Sequence, residues 1–278
     1  MLSLHSLFME KSEKSTFFSL VFKDNPLFFR IFGLTVKSSF KLFCMSLSHR
    51  IYSDSRFATQ YATSIMDNAW NACYERPASL SLLPKDITGK RILDAGCGPG
   101  IVSKYLWERG AIVTAVDYSD KMIALTNEIT SGGVSAMVMD LNNGLTDFED
   151  SYFDIIYCSL VIHYLEDLNF LFSEFARVLT TGGLIIFSTD HPQGPAQQGK
   201  NLSNKQLESV YWKGFNVYLE LYHRPWSEIE DALRQSHLDI ELAITPQIIE
   251  ECKKLFPEEY ALLKENPHFI CVRARKGV

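Results

Sequence analysis

The most constraining feature of this chain is a short apolar run that turns, through closely spaced glycines, into an amphipathic stretch. The segment Leu93–Gly100 reads LDAGCGPG, and IVSKYLWERG follows it to Gly110. An apolar run of this length reads as a buried strand and the stretch after it as a helix. Gly96, Gly98 and Gly100 let the backbone turn tightly and approach a ligand where a β-carbon would collide. The helix that follows presents unpaired N–H groups at its start. A chain with this turn is constrained to an α/β architecture with a nucleotide-like ligand at the turn.

The rest of the pattern repeats that unit. AIVTAVD ends at Asp117 and a helical stretch begins at Ser119, a residue suited to N-capping. VSAMVMD ends at Asp140, FDIIYCSL starts at Phe153, and GGLIIFST starts at Gly182. DLNFLFSEFARVLT lies between the last two, and WSEIEDALRQS, LDIELAI and HFICVRARK close the chain. Strands alternating with helical patterns predict βαβ units, so the fold class is α/β, a doubly wound, seven-stranded, mostly parallel sheet. Asp117 stands 19 residues after Gly98, the separation of a carboxylate that accepts hydrogen bonds from both ribose hydroxyls. A dinucleotide fingerprint would place its third glycine at Ile101, which disfavours NAD.

This alternation with DAGCGPG closely resembles the class I S-adenosylmethionine-dependent methyltransferases, of the small-molecule type that includes the ubiquinone-biosynthesis enzymes. The resemblance covers roughly residues 55 to 278. It implies a Rossmann-like fold with strand order 3-2-1-4-5-7-6, the last strand antiparallel, and S-adenosylmethionine as cofactor. It also implies that Asp94, Gly96, Cys97, Gly98 and Gly100 form the loop around the methionine portion. Asp117 matches the ribose-binding acid, and Tyr118 and Met122 fall where side chains pack on adenine. Asp140 matches the acid that takes the adenine amine, with the backbone of Leu141 beside it. Ser159 is the expected contact to the cofactor's ammonium group. SHLD stands where the family pattern leads us to expect AGF before the sixth strand.

Methyl transfer depends chiefly on holding donor and acceptor in line and excluding water. A general base helps when the acceptor must lose a proton. His191, in STDHP, and His163 are the candidate catalytic residues, ahead of Asp190 and His223; an oriented polar residue that exchanges no proton is an equal reading of either. Asp154, at the start of its strand, reads as structural. Phe170, Phe172 and Phe175 read as a buried helix face. Cys97 lacks a partner in sequence and reads as neither nucleophile nor metal ligand.

Composition sets the remaining bounds. The net charge of −6 disfavours a nucleic-acid partner. Cys44, Cys73, Cys97, Cys158, Cys252 and Cys271 stand at no metal or redox spacing, so they read as reduced thiols of a cytoplasmic protein. No uncharged apolar run approaches the roughly 18 residues needed to cross a bilayer. Residues 1–44 hold nine of 19 phenylalanines and form a basic extension; an over-extended reading frame, a helical lid and a membrane contact all stay open for it. Residues 45–90 read as a helical cap, 91–278 as the catalytic core, and 193–226, rich in polar and aromatic residues, as a substrate lid. The function implied is methylation of a small organic acceptor. The alternatives are a tRNA nucleoside methyltransferase and a catalytically silent, cofactor-binding partner.

Overall fold

A computed structural model describes residues 46–194 and 203–277; the expectations for the phenylalanine-rich extension and for 195–202 of the lid lie outside the described residues. The chain opens with α1 (Leu47–Tyr52) and α2 (Ser55–Asp67), then a π-helical turn (Asn71–Glu75) that runs into α3 (Arg76–Ser81). The alternating core follows: β1 (Arg91–Ala95), α4 (Ile101–Glu108), β2 (Ile112–Asp117), α5 (Asp120–Ile129), β3 (Ser135–Val138), β4 (Phe153–Ser159), α6 (Leu168–Val178) and β5 (Leu179–Asp190). A hairpin, β6 (Gln206–Trp212) and β7 (Val217–His223), precedes α7 (Trp226–Gln235), β8 (Leu238–Ile244), α8 (Pro257–Glu265) and β9 (Phe269–Lys276).

Seven strands form the main sheet in the order β3-β2-β1-β4-β5-β9-β8. The pairs among β1 to β5 are parallel, while β9 runs antiparallel between β5 and β8. With the hairpin set aside, this is the expected 3-2-1-4-5-7-6. The central strands are apolar throughout because both faces are covered: Leu93 and Ile156 meet Phe172 and Phe175 on one side, and Ile92 and Ile155 meet Leu82 and Leu106 on the other. Phe170 departs from the expected buried face and is exposed. Asp154 has the expected structural place, accepting the Arg91 N–H at 2.9 Å across the starts of β4 and β1.

The helical cap is broken rather than continuous. α2 stops at Asn68, whose ψ of 158° is extended, and Pro77 sits in the first turn of α3, where no N–H is needed. The expectation of six reduced thiols is corrected here, because Cys73 and Cys252 are joined by a disulfide across 179 residues. Sequence spacing gives no sign of a pair that only the fold brings together. Within the expected lid, the hairpin pairs in register from Gln206↔His223 to Trp212↔Val217. Leu219, Leu221 and His223 are buried, while Tyr211 and Tyr218 on the other face are exposed. The SHLD departure also finds its form: His237, exposed, takes a φ of 55° where a glycine would be unstrained.

Two stability outcomes follow from these features. His237→Gly should stabilise the fold by about 1 kcal/mol, the cost of a left-handed side-chain-bearing residue, raising the melting temperature by a few degrees; a fall would contradict the strain. Reduction of the Cys73–Cys252 bond, or Cys73→Ser, should lower the melting temperature, with about 5 kcal/mol as the chain-entropy ceiling for so long a loop. An unchanged melting temperature on reduction would show that the bond does not form.

Candidate active site

The glycine loop is bent by left-handed backbone at Gly96, Gly98 and Gly100, with φ of 78°, 53° and 81°. Its path is fixed by the Gly96 and Cys97 N–H groups, which both donate to the Val116 carbonyl at the end of β2. A β-carbon at Gly96 would stand 2.4 Å from Val161, whereas one at Gly98 would meet nothing within 4 Å. Gly96 therefore permits close packing, and Gly98 leaves room on the open side.

Asp117 ends β2 beneath this loop. Its Oδ2 accepts the Gly98 N–H at 3.0 Å and its Oδ1 accepts the Ser119 N–H at 2.9 Å. The same Ser119 caps α5 as expected, accepting the Met122 N–H. Burial pushes the Asp117 carboxyl up to about 6, against the two backbone donors that favour its charged form. Asp94 lies behind the loop, where it accepts the Ser103 hydroxyl at 2.5 Å. Burial first, and the nearby Asp117 charge, push it up to about 7.

A pocket opens at the carboxyl ends of β1 to β4, where an open α/β sheet offers its ligand crevice. Of the residues singled out in the sequence, Gly96, Gly98, Asp117, Tyr118, Asp140, Leu141 and Ser159 line it. Asp94, Cys97, Gly100 and Met122 do not: Asp94 is bonded to Ser103, Cys97 and Gly100 lie against Thr126 of α5, and Met122 is a buried residue of α5. Asp140 accepts the Asn142 N–H with Oδ1, while its Oδ2 lies 3.7 Å from His49 Nε2.

The roof of the pocket is α1, whose role the sequence did not disclose. Ser48, His49 and Tyr52 line the pocket from above. Tyr118 donates to the Ser48 carbonyl at 3.1 Å, and the Ser119 hydroxyl donates to the Tyr52 carbonyl at 2.8 Å. The buried Ser48 hydroxyl donates to the Glu220 carbonyl at 2.9 Å and accepts the Glu220 N–H at 2.8 Å, while Leu47 N–H donates to the Glu220 carboxylate at 2.8 Å. One short helix is thus bonded both to the pocket and to β7 of the hairpin.

Tyrosines form the remaining wall. Tyr52 and Tyr164 share a hydroxyl–hydroxyl bond of 2.9 Å, and Tyr61 stacks on Phe57 and Trp212. Burial raises Tyr52, Tyr118 and Tyr164 well above the usual phenol range and pushes Tyr61 up to about 12, so all four stay neutral near neutral pH. Neither candidate histidine lines the pocket. His191 Nδ1 accepts the Gln193 N–H at 3.1 Å, which leaves Nε2 as the donor to Thr245 Oγ1 at 3.2 Å. His163 is buried, and desolvation, with His223 and Arg224 adding to it, drives it down to about 3. Among the described residues no cluster suited to a metal ion is present.

A crevice of this kind, with glycines below, an acid at each of two successive strand ends and an open sheet edge, defines a nucleoside-binding α/β protein. Residues 93–187 match the family described as Methyltransferase domain. An S-adenosylmethionine-dependent methyltransferase from Mesorhizobium loti is 30% identical with a TM-score of 0.60, over 72% of this chain and 96% of that one. An uncharacterised protein of Haemophilus influenzae is 28% identical over 74% of this chain and 88% of its own length. A ubiquinone biosynthesis O-methyltransferase of Coxiella burnetii is 28% identical over 53% of this chain, which spans 64% of that relative's length. The chain belongs to the S-adenosylmethionine-dependent methyltransferases, and its fold, enzyme class and cofactor are those of that family.

The buried acids give the protein a characteristic pH response. Both carboxyls are raised above an ordinary value of 3.8 by folding, so the stability they contribute is full below about pH 4 and is lost as pH rises through 6 and 7. Denaturant titrations of the ligand-free protein between pH 5 and 8 should therefore show Asp94→Asn gaining on the wild type as pH rises. A constant difference between the two would contradict this.

Proposed function

We propose that this chain transfers the methyl group of S-adenosylmethionine to an oxygen of a small organic acceptor, and that the pocket beneath α1 holds the cofactor. The observation that carries the reading is the placement of Asp117 and Asp140 at successive strand ends in one pocket with Gly98, where a β-carbon would meet open space. The residues fit the group. Each Asp117 oxygen keeps a lone pair beyond its backbone bond, enough to accept the two ribose hydroxyls. Asp140 Oδ2 makes no hydrogen bond within the described residues and suits the adenine amine, with Leu141 beside it. Tyr118, held against the His49 ring at 3.8 Å, supplies an aromatic face, and Met122, the matched residue on α5, is buried. Asp94 through Ser103, and Cys97 and Gly100 through Thr126, hold the loop to the helices beside it, and Gly96, Gly98 and Ser159 face the methionine portion.

When bound, the cofactor supplies an electrophilic methyl carbon on a sulfonium. The chain's own contribution is to orient and to exclude water: α1 covers the adenosine end, and Tyr52, Tyr61 and Tyr164 form a wall of neutral phenols on the acceptor side. His163 and His191 enter this proposal as acceptor-side positions. The low proton affinity of His163 and the engaged ring nitrogens of His191 favour orientation over proton removal. Of residues 193–226, the described hairpin acts as part of the substrate lid, coupled to the pocket through the Glu220–Ser48 bonds. Oxygen as acceptor atom is supported by the O-methyltransferase named above. The acidic charge speaks against tRNA and other nucleic-acid partners. A cytoplasmic location belongs to the same reading. The free Cys97, Cys158 and Cys271 accord with it, and the Cys73–Cys252 bond is the feature a reducing compartment would open. Among the described residues no helix is long and apolar enough to cross a membrane.

Calorimetric titration with S-adenosylhomocysteine tests the assignment. Asp117→Ala should weaken binding roughly tenfold or more, the worth of at least one charge-assisted hydrogen bond; Asp117→Asn, which keeps the shape, should also bind more weakly. In the wild type the affinity should fall as pH drops through about 6, where Asp117 takes up a proton. An unchanged dissociation constant in both variants would remove Asp117 from the site, and binding of NADH alone would overturn the methyltransferase reading.

A further inference from the structure

Glu75 closes the π-helical turn of the cap and is 2% exposed, an acid buried against the carboxyl ends of the strands. Its Oε1 accepts the Ser159 hydroxyl at 2.7 Å and the Ser188 hydroxyl at 2.6 Å, from the carboxyl ends of β4 and β5. Among the described residues no cation lies within ion-pair distance of it. The neighbouring Arg76 guanidinium donates instead to the Ile65 carbonyl at 2.6 Å. The Ser188 oxygen in turn accepts the Leu160 N–H at 3.0 Å, and Leu160 stands in the left-handed region with φ of 52°. Leu160 and Val161 form the pocket wall, and Val161 packs where a β-carbon on Gly96 would be.

This arrangement has a polarity. A serine hydroxyl has one proton, and both serines aim theirs at the same carboxyl oxygen, with the Ser188 hydroxyl also reaching the Ser159 oxygen at 3.3 Å, where Ser159 again accepts. Ser159, which lines the pocket, is thereby left with lone pairs only, so its hydroxyl oxygen accepts and does not donate toward the pocket. On the cofactor reading above, Asp117 takes the ribose and Asp140 the ring amine, so the amino-acid end of the elongated cofactor falls at the remaining wall of Gly96, Ser159 and Val161. There an acceptor-only oxygen favours a protonated amine over a carboxylate. We propose that Glu75 is a positioning residue, which by holding the protons of Ser159 and Ser188 turns Ser159 into an acceptor for the cofactor's ammonium group and fixes the Leu160–Val161 wall beside it.

The experiment is a pair of calorimetric titrations on the full chain. One ligand is S-adenosylhomocysteine and the other is 5′-deoxy-5′-methylthioadenosine, which keeps the nucleoside but lacks the amino-acid end. In Glu75→Met the serines lose their shared acceptor oxygen, and their protons can turn toward the pocket. S-adenosylhomocysteine should then bind roughly tenfold more weakly, as expected for a lost bond to a charged group, while methylthioadenosine stays within about twofold. Ser159→Ala, which removes the acceptor and leaves Glu75 in place, should show the same selective loss and decides the matter if Glu75→Met does not fold. Equal losses for both ligands, or no loss for either, would overturn the proposal by reducing Glu75 to a packing role. Failure of the wild type to bind either ligand would instead overturn the cofactor reading itself, and this proposal with it.

Discussion

A single buried carboxylate joins the parts on which the pocket depends. Asp117 bonds the glycine loop through Gly98 and the start of α5 through Ser119, so the end of β1, the end of β2 and the following helix share one anchor. Burying that carboxylate is costly, as its raised proton affinity records. The cost is met where backbone donors and a polar ligand can face it together. Just before Asp117, the Val116 carbonyl holds Gly96 and Cys97, with Gly96 close to Val161, and Gly98, bonded to Asp117, keeps open space beside it. Behind it, Asp94 and Ser103 fix the loop to α4.

The pocket is also a junction between distant parts of the chain. α1 has too few residues to be stable alone, and its place is set by bonds to Tyr118 and Ser119 below and to Glu220 beside it. A change at the hairpin therefore reaches the pocket through Ser48 and Leu47 without any intervening domain. On the opposite wall, Glu75 plays the corresponding part for β4 and β5. It is held by a turn that the Cys73–Cys252 bond ties to the segment before α8. Cap and core are thus one unit from the viewpoint of the pocket.

Much of the fold was legible because its signals are local. Apolar runs of strand length, Gly98 and its neighbours, and acids at strand ends are short-range patterns, and they located β1 to β5, while the order of the sheet came from the family resemblance that those motifs carry. What escaped the sequence is what depends on long-range meetings. The serines that meet Glu75 lie 84 and 113 residues away. No spacing encodes their encounter, although an acid inside WNACYERPASL was a signal worth following. The serines and histidine of MSLSHRIYSDSRF read as an ordinary polar stretch because their partners, Tyr118, Asp140 and Glu220, are remote in the chain. The hairpin was readable in principle, since QLESVYW and VYLELYH alternate. Its polar and aromatic content pointed to a lid before it pointed to strands. Conversely, His163 and His191 drew attention by residue type and rim position, and only the structure shows one desolvated and the other engaged at both ring nitrogens.

The most direct test of the central claim is a crystal structure of the chain with S-adenosylhomocysteine. The account predicts the ribose hydroxyls on Asp117, the adenine amine on Asp140, the amino group at Ser159, and α1 across the adenosine. A ligand bound elsewhere on the sheet edge, or one in this pocket with no contact to Asp117, would contradict it.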